Sequence, residues 1–152
     1  MNINRTRKYI LILLIICASN ALSLDFDGKS YKIKSKFSEY CMEVEGSKID
    51  EGTKVIQYPC KSNSSQEFLF TKTASGYYTM TSSSGQQLKV NKLDVNIVQS
   101  SVGSLFIIEQ QGLAYTIKDK VSNKYITANV YNTDVKKSPR NNQYNQLWLF
   151  EN

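Results

Sequence analysis

Three short apolar segments recur along this chain, and each carries an aromatic anchor: Gln66-Glu67-Phe68-Leu69-Phe70, Ser104-Leu105-Phe106-Ile107-Ile108 and Gln146-Leu147-Trp148-Leu149-Phe150. The anchors are spaced by 38 residues (68 to 106) and then by 42 (106 to 148). Self-similarity at a period of about 40 residues means units that bury their apolar faces only against one another. That condition restricts the chain more than any other feature does.

Within each period the same order of elements returns. Tyr31-Lys32-Ile33-Lys34, Tyr78-Thr79-Met80-Thr81 and Tyr115-Thr116-Ile117-Lys118 alternate apolar and polar residues, as half-buried strands do. A polar turn follows each one: 35–39, 82–86 and 119–124. Second strands follow at Cys41-Met42-Glu43-Val44, Gln87-Leu88-Lys89-Val90 and Tyr125-Ile126-Thr127-Ala128. Third strands are predicted over Thr53–Tyr58, Val95–Gln99 and Asp134–Lys137, and the anchor segment closes each copy. The segments are rich in Tyr, Val, Ile, Thr and Phe, with Gly, Ser and Asn between them. The tyrosines that open strand copies read as barrel residues, and the Asn-rich stretch 141–145 reads as a loop. The expected fold class is all-β: three four-stranded units closing around one core with pseudo-threefold symmetry, a barrel capped by hairpins.

The first 23 residues stand apart. Arg5, Arg7 and Lys8 precede an apolar run from Ile10 to Cys17, and Ala21-Leu22-Ser23 supplies small residues for a signal peptidase. This is the pattern of a secretory leader cleaved after Ser23. Its apolar run falls short of the roughly 20 residues that a membrane-spanning helix needs. The domain organisation is therefore a signal peptide at 1–23 and one domain at 24–152, with repeats at about 28–70, 74–109 and 111–152. Asp25-Phe26-Asp27-Gly28 opens that domain as a turn-rich lead-in. The expected localisation is secreted or on an extracellular surface.

Removing the leader also removes three of the 19 basic side chains, leaving 16 against 13 acids. The remaining charges are interspersed, which argues against a nucleic-acid partner. Cys17 leaves with the leader. A secreted chain left with Cys41 and Cys60 pairs them, and in the chain-entropy model such a short loop contributes about 3 kcal/mol. The chain has no histidine. The commonest general base and the commonest metal ligand are thus missing, and no spaced carboxylate pair or nucleophile motif replaces them. Asp50-Glu51 are neighbours in a turn beside Gly52. No catalytic residue, metal or cofactor is expected.

Cys41-Met42-Glu43-Val44, then Gly52-Thr53-Lys54-Val55-Ile56-Gln57-Tyr58-Pro59-Cys60, then Gln66-Glu67-Phe68 resemble one repeat of a ricin B-type lectin. The family pattern runs Cys-Leu-Asp-Val, a Gly-Thr-x-Val strand ending in an aromatic residue and a second cysteine, then Gln-x-Trp. The resemblance extends over residues 24–152 as a threefold repeat. It is specific in the first copy, fair in the third and weak in the second. It implies a β-trefoil, a Cys41–Cys60 disulfide within the first repeat, and glycans or glycoproteins as partners.

The chemistry of such a site is simple. An acid accepts two vicinal hydroxyls through charge-assisted bonds. An aromatic ring covers the apolar C–H face of the sugar. An amide offers both a donor and an acceptor. In the first repeat the resemblance assigns Glu43 to the acid, Tyr58 to the ring, Ser65 to the position where asparagine is usual, and Gln66 to the glutamine of Gln-x-Trp. Ile56 stands where a glutamine often faces the sugar, and Gln57 should point the other way. In the second repeat Lys89 replaces the acid and no aromatic follows before Leu105, so that copy reads as structural. The third keeps Asn145-Gln146 as a weaker second site, with Thr127 in place of the acid and Ser138 in place of the ring. Asn63-Ser64-Ser65 is a glycosylation sequon beside the first site.

Two functional readings follow. One is a carbohydrate-binding module for adhesion, with one principal site and several copies brought together by an oligomer or a larger surface assembly. The other is a structural or protein-interaction trefoil, such as a surface-coat component or a toxin's delivery subunit.

Overall fold

The computed structural model describes residues 24–92, 96–129 and 133–152. The expected leader with Cys17, and Val95 at the head of one expected strand, lie outside the described residues.

Twelve strands form among the described residues, four to a repeat. The first repeat holds β1 (Lys29–Ser35), β2 (Cys41–Val44), β3 (Val55–Tyr58) and β4 (Glu67–Lys72). The second holds β5 (Tyr78–Ser82), β6 (Gln87–Val90), β7 (Ile97–Ser100) and β8 (Phe106–Gln111). The third holds β9 (Ala114–Asp119), β10 (Tyr125–Ala128), β11 (Val135–Ser138) and β12 (Trp148–Glu151). The first and last strand of every repeat make a closed antiparallel ring, β1-β4-β5-β8-β9-β12 and back to β1. Closure leaves the ring without an edge. Strands two and three of each repeat pair into hairpins, β2–β3, β6–β7 and β10–β11. The hairpins cap one end of the barrel, touching one another at Lys54↔Val98, Ile56↔Asp134 and Asn96↔Lys136. The architecture is a β-trefoil, as expected.

Registers repeat with the sequence. Tyr31, Tyr78 and Tyr115 lie opposite Phe68, Phe106 and Trp148. The same three anchors lie opposite Ser82, Asp119 and Ser35. All three anchors are fully buried, and Trp148 donates its Nε1–H to Ile126 O at 3.0 Å. Ile33, Met80 and Ile117, at the middle of β1, β5 and β9, fill the barrel beside them.

The strand boundaries correct several expectations. The third strands begin later, at Val55, Ile97 and Val135, because the residues before them make only isolated bridges between hairpins. The anchor strands begin at Glu67, Phe106 and Trp148. Gln66 and Gln146 are therefore not strand residues; each ends a short 3-10 turn, Ser64–Gln66 and Tyr144–Gln146. The lead-in contributes more than a turn. Phe26 is buried and lies within 4.7–5.9 Å, centroid to centroid, of Tyr31, Phe70, Tyr78, Tyr115 and Phe150. It plugs the end of the barrel away from the hairpins, and Gly28 (φ 68°) supplies the left-handed turn into β1 behind it.

Candidate carbohydrate site

The first repeat brings Glu43, Tyr58, Ser65 and Gln66 together. Glu43 is the third residue of β2, 4% exposed, and lies opposite Ile56 on β3. Gln66 reaches it from the 3-10 turn: Nε2 donates to Glu43 Oε2 at 2.7 Å and to Pro59 O at 2.9 Å. The same side chain's Oε1 accepts the Lys61 N–H at 2.7 Å. Both amide hydrogens are thus committed and the side chain is fully buried. Gln66 closes the 59–66 loop and fixes the Glu43 carboxylate. Ser65 is buried as well, its Oγ donating to Asn63 Oδ1 at 2.9 Å within the sequon.

Tyr58 ends β3 and presents its ring to solvent at 41% exposure. The ring face is occupied: Lys61 Nζ stands 3.9 Å from its centroid. The same ammonium lies 3.6 Å from Glu43 Oε2. Acid and ring are thus bridged by one cation. Lys61 was not singled out from the sequence. Its place directly after Cys60, beside the ring and the acid in this repeat, is the only signal for it.

Gln57 faces away from this cluster, as alternation requires. It is buried, and its Nε2 donates to Asn129 O at 3.1 Å and Asp134 O at 3.4 Å in the third repeat. Gln99, its counterpart on β7, donates to Lys48 O at 2.9 Å and Asp50 O at 3.4 Å in the first repeat. Lys137, the counterpart on β11, donates to Asn91 O in the second. One polar side chain per repeat thus ties each hairpin to its neighbour in a ring.

The third repeat repeats the Gln66 device with different partners. Gln146 Nε2 donates to Pro139 O at 2.7 Å, Ser138 Oγ at 3.0 Å and Thr127 Oγ1 at 3.1 Å, while Oε1 accepts Asn141 N–H at 2.9 Å. Asn145 is buried, its Oδ1 accepting from Asn141 Nδ2 at 3.1 Å. These groups satisfy one another, and no carboxylate stands among them in the described residues; the exposed ring nearby is Tyr144, which opens the same 3-10 turn. The second repeat lacks the glutamine; Ser104 Oγ accepts Val90 N–H at 3.0 Å instead.

The hairpin ends are pinned by three different chemistries. Cys41 and Cys60 form a disulfide with Cα atoms 5.0 Å apart. In the second repeat Gly103 N–H donates to Gln87 Oε1 at 3.1 Å; a Cβ on Gly103 would stand 2.5 Å from Gln87 Cβ, so no larger residue fits without a shift. In the third, the Arg140 guanidinium lies 5.2 Å from the Tyr125 ring centroid and donates to its hydroxyl at 3.2 Å.

A family model described as "Ricin-type beta-trefoil lectin domain-like" matches residues 22–100, just over half of the chain. The chain belongs to the ricin-type β-trefoil lectin domain family. Solved structures agree on the fold. The chain is similar to the designed threefold-symmetric protein ThreeFoil, with 22% identity over 83% of this chain and 99% of that one, at a TM-score of 0.76. It is similar to the Macrolepiota procera ricin B-like lectin, a structure in complex with lactose, with 20% identity over 85% and 99% and a TM-score of 0.73. The Rhizoctonia solani agglutinin matches at 17% identity over 85% and 98%, with a TM-score of 0.77. A search of curated protein sequences finds no match. Among the described residues of this ricin-type trefoil, the first repeat is the one that brings an acid and an exposed aromatic onto a shared cation.

Proposed function

We propose that this protein is a secreted carbohydrate-binding module with one principal site, formed by Glu43 and Tyr58 in the first repeat. One observation carries the reading: a nearly buried carboxylate, fixed by Gln66 at 2.7 Å, stands beside a solvent-facing tyrosine ring. A fixed acid accepts two neighbouring sugar hydroxyls without losing side-chain freedom on binding. The ring covers the sugar's C–H face once Lys61 leaves it. Lys61 then remains close to the acid and offers its ammonium to a third hydroxyl. Gln66 acts through Glu43 and Ser65 acts through the Asn63 turn. Asn145 and Gln146 hold the third repeat together. The similarity to the Macrolepiota procera ricin B-like lectin in complex with lactose and the family membership support a glycan as ligand, and the Cys41–Cys60 disulfide supports an oxidising destination.

A single shallow site of this type gives millimolar affinity, near −4 kcal/mol. Useful adhesion then comes from several copies held together on a surface. A glycan array probed with residues 24–152, disulfide intact, tests the reading. Glycan-dependent binding that disappears in Glu43→Ala and Tyr58→Ala supports it, and a blank array for the folded protein overturns it.

The cation lying across the Tyr58 ring favours a second reading, a protein-interaction trefoil whose sugar face is closed. In that case a protein partner is captured equally well by wild type, Glu43→Ala and Tyr58→Ala, and competing sugars do not release it.

A further inference from the structure

The acid of the first repeat has a counterpart of opposite charge. Lys89 holds on β6 the place that Glu43 holds on β2, third in a four-residue strand. It lines a cleft of about 330 Å³ between the second and third repeats, together with Lys92 and Lys137. The cleft one repeat earlier is lined mainly by serines, with one lysine, Lys48, and with Gln99 where the later one has Lys137. Among the described residues, three lysines line the later cleft and one lines the earlier.

Among the described residues these cations have no counter-charge. Neither Lys89, Lys92 nor Lys137 has a carboxylate within ion-pair distance among the described residues. Lys89 and Lys137 are half-buried, and the one bond Lys137 makes is to the backbone oxygen of Asn91. Holding like charges together in a partly desolvated cleft is unfavourable until an anion enters. One carboxylate does line the wall. Asp119 is 2% exposed, and its Oδ2 accepts the Ser122 N–H at 2.7 Å, while Oδ1 accepts no hydrogen bond. Among the described lining residues three lysines stand against one acid, a net charge of +2. A bare anion would meet repulsion from Asp119, whereas a ligand with hydroxyl donors beside its negative group suits both. At the rim, Val102 and Val121 are 70% and 76% exposed, and they offer apolar surface to a ring's C–H face.

We infer that this cleft binds an acidic saccharide, its sulfate ester or carboxylate seated among Lys89, Lys92 and Lys137. The inference does not need the Glu43 site, and it gives the second repeat a binding role that its missing acid and aromatic conceal.

Calorimetric titration with three octasaccharides tests it: chondroitin sulfate (sulfate and carboxylate), hyaluronan (carboxylate alone) and a neutral dextran fragment. Wild type should bind at least one acidic octasaccharide more tightly than dextran, and the pattern across the two identifies the negative group. Lys89→Gln with Lys92→Gln should weaken that binding by about tenfold or more, two charge-assisted contacts being lost. Neither side chain has a partner among the described residues, so the variant should stay folded, and it should keep any neutral-glycan binding seen on the array. Lys36→Gln with Lys72→Gln, an equal loss of charge elsewhere, should change the acidic affinity less than about twofold. Equal weakening by both pairs, or no acidic binding at all by the folded protein, overturns the inference.

Discussion

Gln66 donates to Glu43 across 23 residues at 2.7 Å, joining the signature amide of the repeat to its acid. The glutamine is therefore the support of the acid, and the two should fail together. Gln66→Ala leaves Glu43 Oε2, Pro59 O and Lys61 N–H short of a partner. Unsatisfied buried groups of this type cost about 1–3 kcal/mol each before relaxation and water entry. Chemical denaturation should show a loss of about 2–3 kcal/mol, with Gln146→Ala similar.

Lys61 lies half in solvent, its side chain 42% exposed, between the Tyr58 ring and Glu43. Its ion pair and its ring contact are each worth only about 0–1 kcal/mol in such a position. Lys61→Ala should leave the denaturation midpoint nearly unchanged. On the proposed site it should alter glycan affinity measurably, which a titration against the array's best ligand would detect. A change in stability without any change in affinity would place Lys61 outside the site.

The disulfide and the Tyr125–Arg140 contact occupy equivalent ends of two hairpins. Their strengths differ greatly. Cys41→Ala with Cys60→Ala should cost about 3 kcal/mol through the entropy of the unfolded chain. Arg140→Ala removes an exposed cation–π contact and should cost about 0.5–1 kcal/mol. Parallel thermal melts of the two variants measure the difference.

Phe26 is the plug of the barrel floor, ringed by five aromatic neighbours. Phe26→Ala should cost about 3–5 kcal/mol, the range for a buried phenylalanine that leaves a cavity. A variant beginning at Lys29 should show the same loss in its denaturation midpoint.

The fold was legible because it is written three times. Anchors at a period of about 40, and tyrosines opening alternating segments, become registers such as Tyr31↔Phe68 and Tyr115↔Trp148. The acid, the ring and the disulfide of the first repeat were legible through a family motif spread over three segments, 41–44, 52–60 and 66–68. What alternation along a strand does not carry was hidden. Gln66 and Gln146 turn out of the strand because their amides close loops, and a closed loop is a matter of space, not of spacing. Phe26 sits in a polar tetrapeptide with no periodic partner to mark it as core. Arg140 and Tyr125 do the work of a disulfide with unrelated chemistry, so no cysteine pattern reveals them. Lys61 and Lys89 become meaningful only when the groups around them are known.

The most direct test is a crystal structure of residues 24–152 soaked with the best glycan found on the array. The account predicts vicinal hydroxyls on the Glu43 carboxylate, the sugar's C–H face on Tyr58, and Lys61 moved off that ring. A glycan bound elsewhere, with Lys61 still 3.9 Å from the Tyr58 centroid, would contradict it.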